Sequence, residues 1–370
     1  MSAKIRVGTV GATVTRGGSG WGANAHIPAL RALPDYELKA VCTAHNDTAR
    51  ASQEAFGAEL AFDNFDQMLA HPDIDLVVVC VRVPGHHELV IRALQAGKDV
   101  FCEWPLGRTL AEAEELAALA SRQHKRTIVG LQAQSDPTVM YVRELILDGY
   151  VGHVQAVNFT YTSQAVTERG PGRIWQGDRR NGANTLTIAA GHAIDAVCFM
   201  LGEFDELSAR LATNITQWHN PETNETFKVD SPDWISVTGR LASGAQAAFL
   251  TATVPANPSA SRLEIFGTGG TLVVTAGSFN QGPATVVGSH GKDPLESLPT
   301  PGRFTLVPEG VPSGAPFNVA QAYVRFARGD QFEPDFGHAV TRHALIDAIE
   351  RSNAESRAVR FQPSAVATPA

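Results

Sequence analysis

Short apolar runs alternate with segments of helical periodicity through the first third of the chain. The run Leu76–Val81 is apolar at every position, which is typical of a parallel strand covered on both faces. The segment Glu88–Ala96 has helical spacing and stops at Gly97, a residue that commonly ends helices. Because parallel strands are joined by right-handed helical crossovers, this alternation predicts an α/β fold with a doubly wound parallel sheet.

The same pattern gives the bounds of the elements in this first domain, which is expected to span residues 1–132. The predicted strands are Lys4–Val10, Glu37–Thr43, Leu60–Ala61, Leu76–Val81, Val100–Cys102 and Thr127–Gln132. The predicted helices are Asn24–Ala32, Asp47–Phe56, Asn64–Ala70, Glu88–Ala96 and Leu110–Gln123.

The pattern changes after Pro137, where strands with alternating polar and apolar residues dominate. His153–Ser163 alternates as a half-exposed strand does, and strand patterns separated by turn residues run from Glu206 to about Thr275. Helices are predicted over Thr138–Asp148, Ile188–Leu201, Asn318–Ala327 and Phe336–Asn353. We expect an α+β domain over residues 133–362, with a largely antiparallel open sheet, and a flexible tail over residues 363–370.

The composition favours a globular protein of a reducing compartment. Of the 370 residues, 44% are hydrophobic and 18% are charged, and the net charge of −8 argues against nucleic acid as a ligand. The four cysteines have no metal-ligand spacing, so we expect no bound metal. We find neither a signal-peptide pattern nor an apolar stretch long enough to span a membrane. A cytoplasmic protein without a membrane partner is expected.

Glycines follow the first predicted strand, where a doubly wound sheet binds dinucleotides. Gly8 and Gly11 allow a tight turn and a close approach of the backbone to a pyrophosphate. The third glycine of the usual motif is missing at Thr13, and a glycine-rich loop, Arg16–Gly22, comes before the first helix. We assign the cofactor to Gly8, Gly11, Ala12, Thr13 and Trp21. The alternative is a merely flexible turn.

The end of the second strand bears on the choice between NAD and NADP. A carboxylate that would hold the ribose 2′-hydroxyl of NAD is missing at Thr43 and Ala44. We therefore favour NADP, with NAD possible, and expect Thr43, His45 and Arg50 to receive the 2′-phosphate; ordinary loop polarity is the alternative. Arg82 and His86 follow the fourth strand and are further cofactor candidates, unless they are only solvated surface residues.

Several segments together resemble the Gfo/Idh/MocA family of glucose–fructose oxidoreductases and inositol dehydrogenases. They lie in the family's order over nearly the whole chain: His26–Leu30, Asp73–Val79, Ala93–Leu106, Gly152–Val157 and Gly191–Asp195. The resemblance implies a dinucleotide-binding Rossmann domain and an open-sheet domain that often mediates dimers or tetramers. It also implies oxidation or reduction of sugars, cyclitols or related carbonyl compounds with NAD(P).

Two residues depart from the family pattern at the site of chemistry. The family's Glu-Lys-Pro is Glu103-Trp104-Pro105 here, and indole cannot accept a substrate proton. The family's aspartate four residues before the motif histidine is Ile188. These departures, with Leu131-Gln132, resemble a smaller branch that includes the fungal galactose-regulon repressor. Glu103, Trp104 and Gln132 are expected to lie against the cofactor.

The catalytic candidates are His192, Tyr161 and Trp104. His192 suits acid–base catalysis because imidazole titrates near neutrality, although a structural histidine is the alternative. Tyr161 is also compatible with a half-buried sheet aromatic, and Trp104 with core packing. A substrate site is expected from the loop before His192, unless its cations are simply solvated; its candidates are Trp175, Arg179, Arg180, Asn184, Ile188 and His192.

Three functions remain open at this point. The first is an NADP-dependent oxidoreductase that acts on a sugar-like or other cyclic hydroxyl or carbonyl compound, with His192 handling the proton. The second is a dinucleotide-binding regulator without catalysis, which would bind a protein partner. The third is a redox-neutral lyase or hydrolase that uses bound cofactor. For the oxidoreductase we expect a small-molecule substrate and a homodimer or homotetramer formed through the second sheet.

Overall fold

A computed structural model of the protein describes residues 4–14, 20–329 and 334–363. The first domain contains a six-stranded parallel sheet in the order β3-β2-β1-β4-β5-β6. Its strands are β1 Ile5–Val10, β2 Tyr36–Cys42, β3 Leu60–Phe62, β4 Leu76–Val79, β5 Asp99–Cys102 and β6 Thr127–Val129. Its helices are α1 Ile27–Ala32, α2 Asn46–Phe56, α3 Phe65–Ala70, α4 His86–Gln95 and α5 Leu110–Arg122.

The strand order confirms the predicted doubly wound sheet. β4 is buried at every position, as its unbroken apolar sequence predicts for a strand between two helical layers. β1 pairs in parallel with β2 on one side and β4 on the other. The order of connection therefore reverses beside β1, and the crevice at the carboxyl ends of β1 and β4 is the expected ligand site of such a sheet.

The second domain is built on a nine-stranded mixed sheet in the order β16-β15-β14-β13-β7-β12-β11-β8-β17. In the described part of this nine-stranded sheet, only the pair β7–β12 is parallel. The predicted largely antiparallel open sheet is therefore confirmed. The strands are β7 Val154–Gln164, β8 Phe204–Ala212, β9 Gln217–Asn220, β10 Glu225–Lys228, β11 Trp234–Leu241, β12 Gln246–Val254, β13 Ser261–Gly267, β14 Gly270–Ala276, β15 Ala284–His290, β16 Glu296–Ser297 and β17 Val359–Arg360. The helices are α6 Pro137–Leu147, α7 Gly191–Leu201, α8 Ala315–Ala327 and α9 Phe336–Glu355.

The two faces of this sheet differ in burial. Phe159 and Phe249 stack on the face that the helices cover, with ring centroids 4.6 Å apart. The opposite face presents polar and small residues along the same strands, and it holds a shallow trough of about 510 Å³ beside Asn158, Gln246 and Phe266. Trp234 and Phe266 are large side chains exposed on strands of this outer face.

The last helices do not stay within the second domain. α8 joins the core of the first domain, where Val319, Ala320 and Tyr323 pack with Leu30 and Phe101. α9 packs against α5 and β6 of the first domain and against β8 of the second, so it contacts both sheets. A single domain boundary at residue 132 therefore does not describe the packing, because the apolar face of α8 completes the hydrophobic core of the first domain. In the described part of the chain, no helix is long and apolar enough to cross a membrane.

Candidate functional site

The turn after β1 forms a close-packed cradle at the sheet crevice. Gly11 has a φ of +97°, and a Cβ there would lie 2.8 Å from the backbone of Cys80. The backbone N–H of Gly11 donates to the carbonyl of Cys42 at the end of β2 (3.3 Å). Gly22 is equally confined, since its Cβ would lie 2.9 Å from Cα of Ala12. Only glycine fits either position, as a backbone that approaches a pyrophosphate requires.

The other residues assigned to this turn occupy different places. Gly8 lies within β1, and its Cβ would lie 3.0 Å from Sδ of Met68, so its small size serves packing inside the domain. Ala12 is fully buried and Thr13 follows it in the turn, while Trp21 is partly exposed at the start of the first helix. Residues 16–19 of the predicted Arg16–Gly22 loop lie outside the described residues.

The end of β2 brings Thr43, His45 and Arg50 to one edge of the crevice. Oγ of Thr43 donates to the carbonyl of His45 (3.0 Å) and lies 2.7 Å from Oγ of Thr48. His45 and Arg50 are exposed, at and just inside the beginning of α2. Arg50 forms no ion pair with any part of the chain that the structure describes. The edge therefore offers hydroxyl, imidazole and guanidinium groups, and its one carboxylate in the first turn of α2, Asp47, accepts from the backbone N–H of Thr48 (2.9 Å).

A buried polar chain lies deeper in the crevice, beyond β5. Glu103 accepts from Nε2 of Gln132 through both carboxylate oxygens (3.0 and 2.9 Å) and contacts Nε2 of His26 at 2.8 Å. Nδ1 of His26 contacts the hydroxyl of Tyr323 in α8 at 2.8 Å. Oε1 of Gln132 is buried without a hydrogen-bond partner in the described structure. Glu103 and Gln132 thus contact each other, and Gln132 keeps one acceptor available.

Trp104 is placed for packing, which corrects its assignment as a catalytic and cofactor-stacking residue. Its indole is 5% exposed, its Nε1 donates to the carbonyl of Thr187 (2.7 Å), and its ring centroid lies 4.7 Å from that of His343. A Cβ on Gly191 would lie 2.8 Å from the same Nε1. With its N–H bonded and its ring packed, Trp104 positions the start of α7 and is not free to stack on a cofactor.

His86 also has a structural role, contrary to its assignment to the cofactor. Its side chain is 1% exposed, with Nδ1 2.8 Å from the carbonyl of Pro105 and Nε2 3.1 Å from that of Val81. Burial lowers its pKa, although both carbonyls favour the protonated ring. Because both nitrogens face backbone oxygens, the ring joins the loops that follow β4 and β5 and cannot contact a ligand.

His192 lies near Glu103 and is the candidate for acid–base chemistry. It lies in the first turn of α7, after a π-type turn over Leu186–Ala190 that contains Ile188. Nδ1 of His192 is buried and has no hydrogen-bond partner in the described structure. Burial lowers the pKa of His192, and the nearby charges of Glu103 and Asp195 oppose that shift. A buried neutral imidazole with one unpartnered nitrogen suits a proton acceptor.

Hydroxyl groups from the second sheet lie on the face that the helices cover. Tyr161 in β7 is half-buried, pairs in register with Thr251 of β12, and has its pKa raised by burial. The Oγ atoms of Thr251 and Thr253 are buried without a partner in the described residues. The π-type turn before His192 packs against β11 and β12. Tyr161 therefore lies on the face that the helices cover, and the two threonines are polar groups that the sequence analysis missed.

Asp195 anchors α7 instead of entering the cleft. It accepts from Nε of Arg342 (3.1 Å) and Nε2 of Gln134 (3.2 Å), and it lies 2.6 Å from Nε2 of His338. Burial alone would raise the pKa of Asp195, but the charges of His338 and Arg342 outweigh it and hold the pKa below its usual range. Arg342 also binds Glu203 (2.7 Å). This network fixes the helix that carries His192.

The loop before α7 holds the predicted substrate residues, and most of them already have partners. Arg179 pairs with Glu350 (2.8 Å), Arg180 pairs with Asp178 (2.6 Å), and Oδ1 of Asn184 accepts from the backbone of Leu186 (3.0 Å). These three side chains stabilise the loop, so their assignment to substrate is not supported. Ile188 is half-buried in the π-type turn. Trp175 lies beside Arg82, whose guanidinium carbon is 5.8 Å from the ring centroid, so these two residues from different domains do meet.

Two family models match the chain, one in each domain. The oxidoreductase family with an NAD-binding Rossmann fold matches residues 13–131, and the C-terminal domain of Gal80p matches residues 137–276. Dehydrogenase aclE of Aspergillus oryzae is 30% identical, over 86% of this chain and 87% of that protein. Inositol 2-dehydrogenase of Rhizobium meliloti is 26% identical, over 92% and 97%.

Solved structures share the fold over almost their full length. A super-repressor mutant of Gal80p from Saccharomyces cerevisiae superposes with a TM-score of 0.83 at 21% identity, covering 97% of this chain and 98% of that one. Levoglucosan dehydrogenase in complex with NADH superposes with a TM-score of 0.83 at 22% identity, covering 97% and 99%. Both an enzyme and a regulator therefore use this architecture.

Proposed function

This chain belongs to the Gfo/Idh/MocA family, on the branch that includes Gal80p, and we propose on that premise that it is an NAD(P)-dependent oxidoreductase. Its substrate is a sugar-like or other cyclic compound with a hydroxyl or carbonyl group, as for the relatives named inositol 2-dehydrogenase and levoglucosan dehydrogenase. The observation that carries the proposal is His192, whose buried Nδ1 has no partner among the described residues although the histidine lies near Glu103 in the cleft.

The crevice fits a nicotinamide dinucleotide. Gly11 and Gly22 leave no room for a Cβ where a pyrophosphate must approach the backbone. Oε1 of Gln132 is a buried acceptor without a donor in the described structure, and it would be available to the N–H of a nicotinamide carboxamide. The bound dinucleotide supplies the hydride acceptor or donor, and the protein supplies the cleft and the acid–base group.

His192 performs the proton transfer in this proposal. Because burial lowers its pKa, the ring is neutral near pH 7 and accepts a proton from a substrate hydroxyl during oxidation. The charge of nearby Glu103 stabilises the imidazolium that forms, and in the reverse direction the same ring returns the proton. Asp195, bound to Arg342, keeps α7 in place during this exchange. Trp104 supplies no proton, so His192 acts without a lysine.

NADP is the preferred dinucleotide in this proposal. No carboxylate occupies Thr43 or Ala44 at the end of β2, the carboxylate of Asp47 accepts from the backbone N–H of Thr48 (2.9 Å), and Arg50 has no ion pair in the described chain. Arg50→Gln should weaken NADPH binding by about tenfold and leave NADH binding unchanged, because a charge-assisted contact to phosphate is worth about 1.5–3 kcal/mol. An equal loss for both dinucleotides would contradict the preference for NADP.

A second candidate function is a dinucleotide-binding regulator. The residues after Pro137 match the C-terminal domain of Gal80p, and Trp104, with its N–H bonded to Thr187, replaces the family lysine. In that case the protein would bind the dinucleotide tightly, transfer no hydride and recognise a protein partner. A redox-neutral lyase or hydrolase would instead convert substrate without net change in the reduced nicotinamide.

A His192→Ala variant distinguishes the enzyme from the regulator. We expect it to bind NADPH as the wild type does and to lose at least about a hundredfold in hydride transfer, the usual contribution of a general base. The exposed residue His153 gives the matched control, and His153→Ala should retain full activity. Tight NADPH binding without hydride transfer to any of a broad set of cyclic carbonyl compounds in the wild type would favour the regulator.

We also propose that the outer face of the second sheet joins copies of the chain into a homodimer or homotetramer. Phe266 and Trp234 are 41% and 37% exposed on strands of this face. Asn158 and Gln246 line the same trough and supply polar groups. A face of aromatic and polar residues that no described element covers is suited to pairing with its own copy about a two-fold axis.

A further inference from the structure

Three arginines from loops of the two domains have no acidic partner in the described part of the chain. They are Arg82, Arg169 and Arg173, and none of them forms an ion pair within the residues that the structure describes. We propose that they form a binding site for a carboxylate of the substrate, so that the substrate is a cyclic hydroxy or oxo acid. This inference rests on the proposed oxidoreductase function and names its substrate class. It replaces the predicted roles of Arg179 and Arg180, which are already paired.

Arg169 is the centre of this site. Its side chain is half-buried, and its Nε is buried without a hydrogen-bond partner in the described structure. Its guanidinium carbon lies 4.9 Å from the ring centroid of Trp218, and its backbone N–H donates to the carbonyl of His219 (2.9 Å). Trp218 is itself fixed, because Gly177 packs against its ring edge. Arg169 is therefore held in place, and its Nε–H is a hydrogen-bond donor without an acceptor in the described structure.

Arg173 adds a second positive charge to the same place. It is exposed, and its charge adds to the effect of burial in lowering the pKa of Arg169. The carboxylates on neighbouring segments are those of Glu168 and Glu222, and neither forms an ion pair with these arginines. Two guanidinium groups without a counter-ion repel each other, and partial burial strengthens the repulsion. A bound anion would remove that cost.

Arg82 extends the site to the first domain. It follows β4, at the carboxyl edge of the parallel sheet where the cofactor crevice lies. Its Nη2 lies 3.5 Å from the carbonyl of Pro171, between Arg169 and Arg173 in sequence, and its guanidinium faces Trp175. The three arginines therefore border the cleft from both domains, beside two indole rings. This arrangement suits an acid carried on a flat or cyclic body.

The chemistry favours a carboxylate of the substrate over a phosphate of the cofactor. Arginine binds carboxylates through two parallel hydrogen bonds, and its free Nε is one of the two donors that this geometry uses. Arg169 and Arg173 belong to the second domain, whereas the glycines that can approach a pyrophosphate, Gly11 and Gly22, belong to the first. The anion that Arg169 receives is thus expected to arrive with the substrate.

The test is carried out on the full chain saturated with NADPH. Binding of glucuronate, quinate and benzoate is compared with that of glucose, inositol and benzyl alcohol by tryptophan fluorescence and calorimetry. We expect at least one carboxylate to bind about tenfold or more tightly than its neutral partner, and Arg169→Gln to abolish that difference. Arg180→Gln is the matched control: Asp178 already neutralises this arginine of the same loop, so the difference should persist.

Three results would overturn the inference. One is that no carboxylate binds more tightly than its neutral partner to the wild type. Another is that Arg169→Gln leaves the preference for the carboxylate intact. The third is that Arg169→Gln weakens NADPH binding instead, which would assign the site to a phosphate of the cofactor. If the wild type and His192→Ala both bind the carboxylate and neither transfers a hydride, the oxidoreductase function is refuted, while the anion site stays in place.

Discussion

Replacing Gly11 with alanine tests the dinucleotide cradle at its tightest point. The substitution places a Cβ 2.8 Å from the backbone of Cys80 and forces a φ of +97° on a residue that disfavours it. The positive φ alone costs about 1–2 kcal/mol. The contact adds to this, because the backbone of Cys80 directly follows β4 and donates to the carbonyl of Val10 (3.0 Å), so it cannot move away as the end of a flexible side chain can. The turn must therefore shift, and the site with it.

Gly57 separates the two effects. It has a φ of +71° at the end of α2, and a Cβ there would meet nothing within 4 Å. Gly57→Ala should lower the free energy of unfolding by about 1 kcal/mol and leave NADPH binding unchanged. Gly11→Ala should lower it further and weaken NADPH binding by at least about tenfold, which is about 1.4 kcal/mol.

Both quantities are measured on the same preparations, by urea denaturation without ligand and by fluorescence titration with NADPH. If Gly11→Ala loses stability but binds NADPH as Gly57→Ala does, the turn after β1 does not hold the dinucleotide. If both variants lose affinity equally, the effect comes from general destabilisation, and the specific cradle is again refuted.

Four further outcomes follow from the packing. Trp104→Phe leaves a buried carbonyl unsatisfied and should lower the free energy of unfolding by about 1–3 kcal/mol in chemical denaturation, with no separate loss of NADPH affinity. Arg342→Met removes the ion pair of Glu203 and one of the two ion pairs of buried Asp195, and it should cost about 3–5 kcal/mol in the same assay. Burial lowers the pKa of His343 to about 3 in the folded chain, from 6.5 in the unfolded chain. As the pH falls below 6.5, only the unfolded chain takes up that proton, so the free energy of unfolding decreases as the pH decreases. Between pH 6.5 and about pH 5, the free energy of unfolding of His343→Phe should decrease by about 2 kcal/mol less than that of the wild type. The same decrease in both proteins would contradict this. Phe266→Arg should yield monomers in light scattering, and an unchanged mass would refute assembly through the outer sheet face.

The fold was predictable because its determinants are local. Leu76–Val81 shows by its unbroken apolar sequence that β4 is covered on both faces, and the alternation in His153–Ser163 marks β7 at the start of the open sheet. The place of α8 was not predictable in the same way. Its apolar stripe is evident, but nothing in residues 315–327 specifies that it completes the core of the first domain.

The candidate site was predictable where a short motif carries it. Gly11 and His192 lie in such motifs, and both are in the crevice. The contact of His26 with Tyr323 joins residues 297 positions apart, and a single sequence contains no signal for it. The arginines show the same limit, since only the fold reveals that Arg179 meets Glu350 while Arg169 meets no carboxylate in the described chain.

The most direct test of the account is a titration of the purified wild type with NADPH and NADH, followed by a single-turnover reaction with a set of cyclic carbonyl compounds. The account predicts tighter binding of NADPH and loss of the reduced-nicotinamide absorbance with at least one compound, and His192→Ala should lack that absorbance change. Binding of neither dinucleotide would contradict the site at the carboxyl ends of β1 and β4. Tight binding with no oxidation by any compound would contradict the proposed hydride transfer.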